Sequence, residues 1–227
     1  MGPGEWGQNV DQIKRDFLRD GCVIIPGFLS QSELSELQAR TERCMREHMS
    51  VWDGPTTKNL QDMDPWFGEQ LRRGRQVGLI ETLLDDALEP ATAAYFDRVP
   101  HESGAIPPHF DAIGHRRKGA TIWIALDRAD QENGCLRYVR GTHRLDLPNR
   151  LGLDFDAESE GAIPVELDPG DAAIHNSRTV HWSEPNRSER SRKAISYFYW
   201  AESSKGNGKY ADFARYVNQP KQARQPV

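Results

Sequence analysis

Cysteine is scarce in this 227-residue chain: Cys22, Cys44 and Cys135 form an odd, widely spaced set with no Cys-x-x-Cys pair. A zinc ribbon or a disulfide scaffold is therefore not expected, and a reducing cytoplasm is the expected location. Long apolar runs are missing as well. Nothing approaches the ~18 consecutive apolar residues of a transmembrane helix. The opening stretch MGPGEWGQNVDQIKRDF lacks the basic-then-apolar layout of a signal peptide, so no membrane partner is expected. Neither sign of charge dominates: 34 acidic residues against 29 basic ones leave a net charge of −5. That balance gives no electrostatic footprint for a nucleic-acid partner. Internal repeats and low-complexity tracts are absent too.

What is present changes in texture near Pro90. Before it, DQIKRDFLRDG (11–21) spaces Ile13, Phe17 and Leu18 as a helix does, and CVIIPGF (22–28) reads as a short buried strand. The stretch from Ser30 to Met49 is the clearest helix, opened by a Ser30/Glu33 capping box. Residues 50–75 read as irregular, and 77–88 as a further helix. After Pro90 come short segments rich in β-branched and aromatic residues: TAAYFDRV, ATIWIAL, CLRYVRG, IPVEL, DAAIH, TVHWS and KAISYFYW. Turn residues such as Asn133-Gly134 and Pro169-Gly170 separate them. The expected fold is mainly β with flanking α-helices, a double-layer jelly roll. One domain over 1–227 is expected: a mainly helical part (1–89), a jelly-roll core (90–202) and a polar tail (203–227).

The chemistry-bearing stretch is HFDAIGH (109–115). His109 and Asp111 lie two apart, on one face if the segment is a strand. A carboxylate turned inward needs a partner, and a metal ion is one. His181 sits between an apolar strand and a turn. After it, alternation puts Arg192, Ala194 and Ser196 on one face, which marks Arg192 as an inward-facing arginine. Two imidazoles and a carboxylate leave three positions of an octahedral Fe(II) open. A buried guanidinium nearby can grip a dicarboxylate in a bidentate fork.

Four blocks, in order, carry a resemblance: DGCVIIPGFLSQSEL; IPPHFDA; TIWIALDRADQENGCLRYVRGTHR; and LDPGDAAIHNSRTVHWSEPNRSERSRKAIS. From about Gly21 to Tyr199 the chain resembles the phytanoyl-CoA dioxygenase-like family of iron(II)- and 2-oxoglutarate-dependent oxygenases. The resemblance implies a double-stranded β-helix, with His109, Asp111 and His181 as iron ligands. Arg192 corresponds to the arginine on the distal carboxylate of 2-oxoglutarate, Ser183 to a hydroxyl sharing it, and Trp123 to a tryptophan lining the co-substrate pocket. Arg98 stands about where many members have a lysine. Trp182 replaces a frequent glycine, either narrowing the pocket or packing outward.

The implied reaction consumes 2-oxoglutarate and O2, releases succinate and CO2, and hydroxylates an unactivated C–H of a small-molecule substrate. Related halogenases carry glycine or alanine where Asp111 stands, so hydroxylation is expected rather than halogenation. Two other classes compete. A metal-bound jelly-roll isomerase or hydrolase has no need of Arg192 and Ser183, and a silent binding module has no need of an intact triad. His175 is the rival of His181 as ligand and is read as hydrogen-bonded, with a support behind a ligand or a contact to substrate as its alternatives. His143 is read as structural, the run from His115 to Lys118 as a solvated loop with a lid meeting an anionic substrate as its alternative, and 154–160 as an exposed acidic loop.

Overall fold

The computed structural model describes residues 10–48, 56–101, 104–115 and 117–206. Five helices precede most of the sheet: α1 (Val10–Asp20), α2 (Gln31–Glu47), α3 (Leu60–Met63), α4 (Pro65–Arg73) and α5 (Gln76–Leu84). Ten strands follow or interleave: β1 (Cys22–Ile25), β2 (Thr56–Lys58), β3 (Leu88–Arg98), β4 (Ile106–His109), β5 (Gly119–Ala125), β6 (Leu136–Val139), β7 (Ala162–Val165), β8 (Ala172–Asn176), β9 (His181–Ser183) and β10 (Arg192–Ala201). They form a six-stranded sheet, β1-β8-β5-β10-β3-β2, and a four-stranded sheet, β4-β9-β6-β7, with antiparallel pairings throughout. This is the expected jelly roll with helices on one side.

Each face of the larger sheet has its own cover. Ile122, Ile124, Ile195, Tyr197 and Tyr199 share a core with Ile13, Phe17, Leu34, Leu37, Phe67 and Ile80 of the helices. The alternate positions Trp123, Ala125 and Ala194 turn inward to meet Leu136, Tyr138 and Val165 of the smaller sheet. Every residue of β5 is buried for that reason, which is why its sequence reads as a nearly unbroken apolar run. Of the aromatics on β10, Tyr197 and Tyr199 are core, whereas Phe198 lines a cavity and Trp200 packs over His115.

Two expectations need correction. The region read as irregular holds β2, α3 and α4. Asp64 caps α4 by accepting from the Trp66 amide at 2.9 Å, and Pro65 fills the first helical position. This cap-and-proline signal was legible but was outweighed by the surrounding charge. The helical N-terminal part also lends the sheet two strands, β1 and β2. Secondly, Asp111 is not on a strand: β4 ends at His109 and Asp111 opens the turn behind it. That turn is fixed by the Ala112 amide donating to the Ser177 carbonyl at 2.8 Å. The capping box at Ser30/Glu33 forms as expected, and the three cysteines are unpaired and buried. No described helix is long and apolar enough to cross a membrane.

Candidate metal and co-substrate site

His109 and His181 are register partners on β4 and β9, with ring centroids 4.3 Å apart. Asp111 comes back toward them from its turn. One donor atom from each of the three lies within 4.8 Å of the others. Both imidazoles are oriented from behind. His109 Nδ1 lies 2.8 Å from the Pro107 carbonyl and His181 Nδ1 lies 3.0 Å from the Thr179 carbonyl. A carbonyl only accepts, so Nδ1 carries the proton in each ring and Nε2 keeps a free lone pair facing the cluster.

Asp111 is oriented in the same manner. Its Oδ2 accepts from the Thr121 hydroxyl and from His175 Nε2 at 2.9 Å, while Oδ1 lies 3.5 Å from His181 Nε2. The Tyr138 hydroxyl, 3.0 Å from His175 Nδ1, completes a buried relay of tyrosine, histidine and aspartate. Burial holds Tyr138 protonated, with a pKa well above that of a free phenol, so its O–H donates to His175. His175 is thus a support for Asp111 rather than a third imidazole ligand. Supports of this kind hold a ligand's orientation and basicity.

The electrostatics suit a cation. Burial, reinforced by His109 and His175, pushes His181 down to about 3, so it is neutral near pH 7. Burial also lowers His109, and the positive charge of Lys58 adds to that. For Asp111, burial acts upward but is outweighed by His181, His175 and His109, leaving the carboxylate well below its ordinary range. Two neutral imidazoles and an ionised carboxylate are the protonation states a divalent metal requires.

A cavity of about 360 Å³ opens over this cluster. Arg192 and Trp123 line it, with the guanidinium carbon 5.1 Å from the indole centroid. Arg192 is 1% exposed, and its Nε and Nη1 have no hydrogen-bond partner among the described residues. Burial, and secondarily the like charge of Arg98, pull it down to about 9. It therefore remains a cation at neutral pH, lining the cavity without an ion pair among the described residues.

Ser183 is buried but does not line the cavity among the described residues. Its hydroxyl accepts from Arg98 Nη2, and Arg98 Nη1 donates to the Gly104 carbonyl at 2.7 Å. Trp182 borders the cavity, but its ring packs with Phe110, Leu153 and Val180 and its Nε1 donates to Glu184 at 3.0 Å. The residue thus both borders the cavity and packs into a buried cluster. The loop after the triad is tied elsewhere: Arg117 pairs with Glu89 at 2.8 Å and lies over the Trp200 ring, and Arg116 lies outside the described residues. His143 makes a contact to the Leu18 carbonyl, as a structural histidine does.

Sequence reasoning missed three residues: Thr121, Tyr138 and Lys58. Thr121 shares the inward face with Trp123 two positions on, so strand alternation could have found it. Tyr138 and Lys58 had no local signal.

Residues 17–194 match the phytanoyl-CoA dioxygenase (PhyH) family, most of the chain. The chain belongs to that family. Dioxygenase lolE1 from Epichloe uncinata is 36% identical over 104 residues, covering 43% of this chain and 40% of that protein. The match thus spans well under two thirds of that relative's length. Methylphosphonate hydroxylase from Gimesia maris is 25% identical over 221 residues, covering 86% of this chain and 83% of the relative. EvdO2 from Micromonospora carbonacea var. aurantiaca, solved in complex with 2-oxoglutarate, superposes with a TM-score of 0.74 at 24% identity, over 86% of this chain and 92% of EvdO2. With the two-histidine, one-carboxylate set in place, this member of the PhyH family of Fe(II)- and 2-oxoglutarate-dependent oxygenases carries the metal donors that the family's chemistry needs.

Proposed function

We propose that this oxygenase hydroxylates an unactivated C–H bond of a small-molecule metabolite while 2-oxoglutarate is decarboxylated to succinate and CO2. The observation that carries the reading is Arg192. A buried, unpartnered guanidinium beside the His109, Asp111 and His181 cluster is a costly arrangement unless a carboxylate ligand completes it.

In this reading His109, Asp111 and His181 hold Fe(II), and the donor set fits it: two neutral imidazole nitrogens and one carboxylate, with room left for co-substrate. When bound, iron supplies the activation of O2 that the side chains cannot perform. The chain's own work is orientation and exclusion of water. The Pro107 and Thr179 carbonyls aim the two imidazoles. Thr121 and His175 fix one oxygen of Asp111, leaving the other for the metal. Arg192 takes the distal carboxylate of 2-oxoglutarate in a charge-assisted fork, and Trp123 lies against that guanidinium. Ser183 supports the same end from behind Arg98. Ile106, Leu136, Phe96 and Phe198 give the cavity apolar walls, which keep bulk water off the reacting carbon.

Asp111 favours hydroxylation, since it fills the position that related halogenases leave to a halide. The cavity volume is at the low end for ligand pockets, which favours a small metabolite over a carrier-bound or macromolecular one. Unpaired buried cysteines fit a reducing, cytoplasmic setting, and the chain acts as one oxygenase domain.

The test is 2-oxoglutarate turnover with added Fe(II), scored as succinate formed. Activity in the parent that vanishes in His109→Ala and Asp111→Ala supports the reading. Equal turnover in parent and variants defeats it. Mass analysis of the product separates hydroxylation from other oxidations.

A further inference from the structure

The cavity has a second cation. Strand β2 pairs with β3 at the edge of the larger sheet, with Thr56 opposite Phe96 and Lys58 opposite Ala94. Alternation sends Thr56 and Lys58 to the cavity face, while Thr57 between them is 5% exposed on the other side. The strand end is fixed: the Asn59 amide donates to Thr92 Oγ1 at 3.2 Å, and the Thr92 hydroxyl returns to Asn59 Oδ1 at 3.1 Å. No hydrogen bond or ion pair engages the Lys58 ammonium among the described residues.

The other cavity groups leave Lys58 one use. Asp111 is the cavity's carboxylate, and it is committed to the two histidines and to the Thr121 and His175 bonds. Arg192 is committed to 2-oxoglutarate in the reading above. Around Lys58 the wall is Ala94, Phe96 and Phe198. Arg98, which marks the co-substrate end, lies four residues along β3 from Lys58's partner Ala94, roughly 13 Å of strand. The cavity lining thus carries two cations, Lys58 and Arg192, together with the metal donors and an apolar wall.

We propose that the substrate carries a compact terminal oxyanion, a carboxylate or a phosphonate, and that Lys58 binds it so that the adjoining aliphatic carbons lie along Ala94, Phe96 and Phe198 toward the metal. Lys58 is then the residue that sets substrate class. A flexible ammonium at the cavity rim also concentrates anions at the entrance, an effect that weakens with salt. This inference rests on the oxygenase reading for where the chemistry occurs, but Lys58 binding is measurable without turnover.

The experiment is calorimetric titration of the anaerobic protein loaded with Fe(II) and saturating 2-oxoglutarate. The probes are butyrate, propylphosphonate and the neutral butyramide, at fixed ionic strength. The expected result is millimolar or tighter binding of at least one anion, and binding of butyramide weaker by about tenfold or more. The two anions distinguish a carboxylate from a phosphonate preference. Lys58→Met should weaken the anion by about tenfold and leave 2-oxoglutarate affinity unchanged, while Lys58→Arg retains most of the binding. Equal binding of amide and anion, an anion affinity indifferent to Lys58→Met, or no anion binding in the parent would each overturn the inference. Failure of 2-oxoglutarate itself to bind would instead defeat the oxygenase reading, so the two failures are told apart.

Discussion

Arg98 and Arg192 stand directly opposite each other in the register of β3 and β10, and both are at most 2% exposed. Burial lowers the pKa of each, and Arg98 acts further on Arg192. Two buried cations set side by side on neighbouring strands repel each other. Ser183 and the Gly104 carbonyl accept hydrogen bonds from Arg98, whereas Nε and Nη1 of Arg192 have no hydrogen-bond partner among the described residues.

Arg192→Met therefore separates binding from stability. Without 2-oxoglutarate the variant should melt at the parent's temperature or higher, because an apolar side chain of similar length replaces an unpaired buried charge. With 2-oxoglutarate at a hundredfold its Kd, the parent should gain about 2.7 kcal/mol, and the variant nothing at the same concentration. Differential scanning fluorimetry with and without co-substrate reads both effects. A variant that keeps the ligand-induced shift would show that Arg192 is not the anchor.

The relay behind Asp111 should be visible in metal affinity. His175→Ala removes one of the two donors to Asp111 Oδ2 and should weaken Fe(II) binding by roughly 10–100-fold. Tyr138→Phe, one step further away, should cost less. The double variant should fall short of the sum, since both residues act through the same bond. Competitive titration against a chelator measures this directly, and strict additivity would refute the relay.

Trp182 is expected to matter for folding and little for co-substrate binding. Its ring fills a buried cluster with Phe110, Leu153 and Val180. Truncation to alanine should cost about 3–5 kcal/mol in urea unfolding. In the fraction that remains folded, 2-oxoglutarate affinity should match the parent's. A large loss of affinity with unchanged stability would show that its edge on the cavity, rather than its packing, is what counts.

Gly134 occupies a turn with φ +75°, and a Cβ there would come within 2.3 Å of the Glu184 carbonyl oxygen, just past β9. Gly134→Ala should destabilise the protein by more than about 1–2 kcal/mol, the left-handed cost alone, because the neighbouring backbone must also move. A chemical-denaturation midpoint equal to the parent's would contradict this.

How much of this was legible can be argued from single residues. His109, His181 and Arg192 were readable because motif order and strand alternation are local properties of the chain. Asp111 was picked out for a partly mistaken reason: strand spacing was expected to align it with His109, whereas a turn anchored by the Ser177 carbonyl returns it to the cluster. Ser183 was assigned a hydroxyl facing the co-substrate, but its hydrogen bond is to Arg98, 85 positions away in the chain. Lys58 lay in a stretch that read as irregular, because a three-residue edge strand is too short to show a period.

The sequence alone determined the jelly-roll class, the helical flank, the donor types and the family, since each follows from residue identity, periodicity and order along the chain. Tertiary structure alone decided which groups share a space. It paired Arg98 with Arg192, joined Tyr138 to Asp111 through His175, and brought Lys58 of an edge strand to the cavity that holds Arg192. The reason is physical: hydrogen bonds and charge interactions depend on distances of a few ångströms. In an antiparallel sheet those distances are set by register between strands far apart in the chain, which no local pattern encodes.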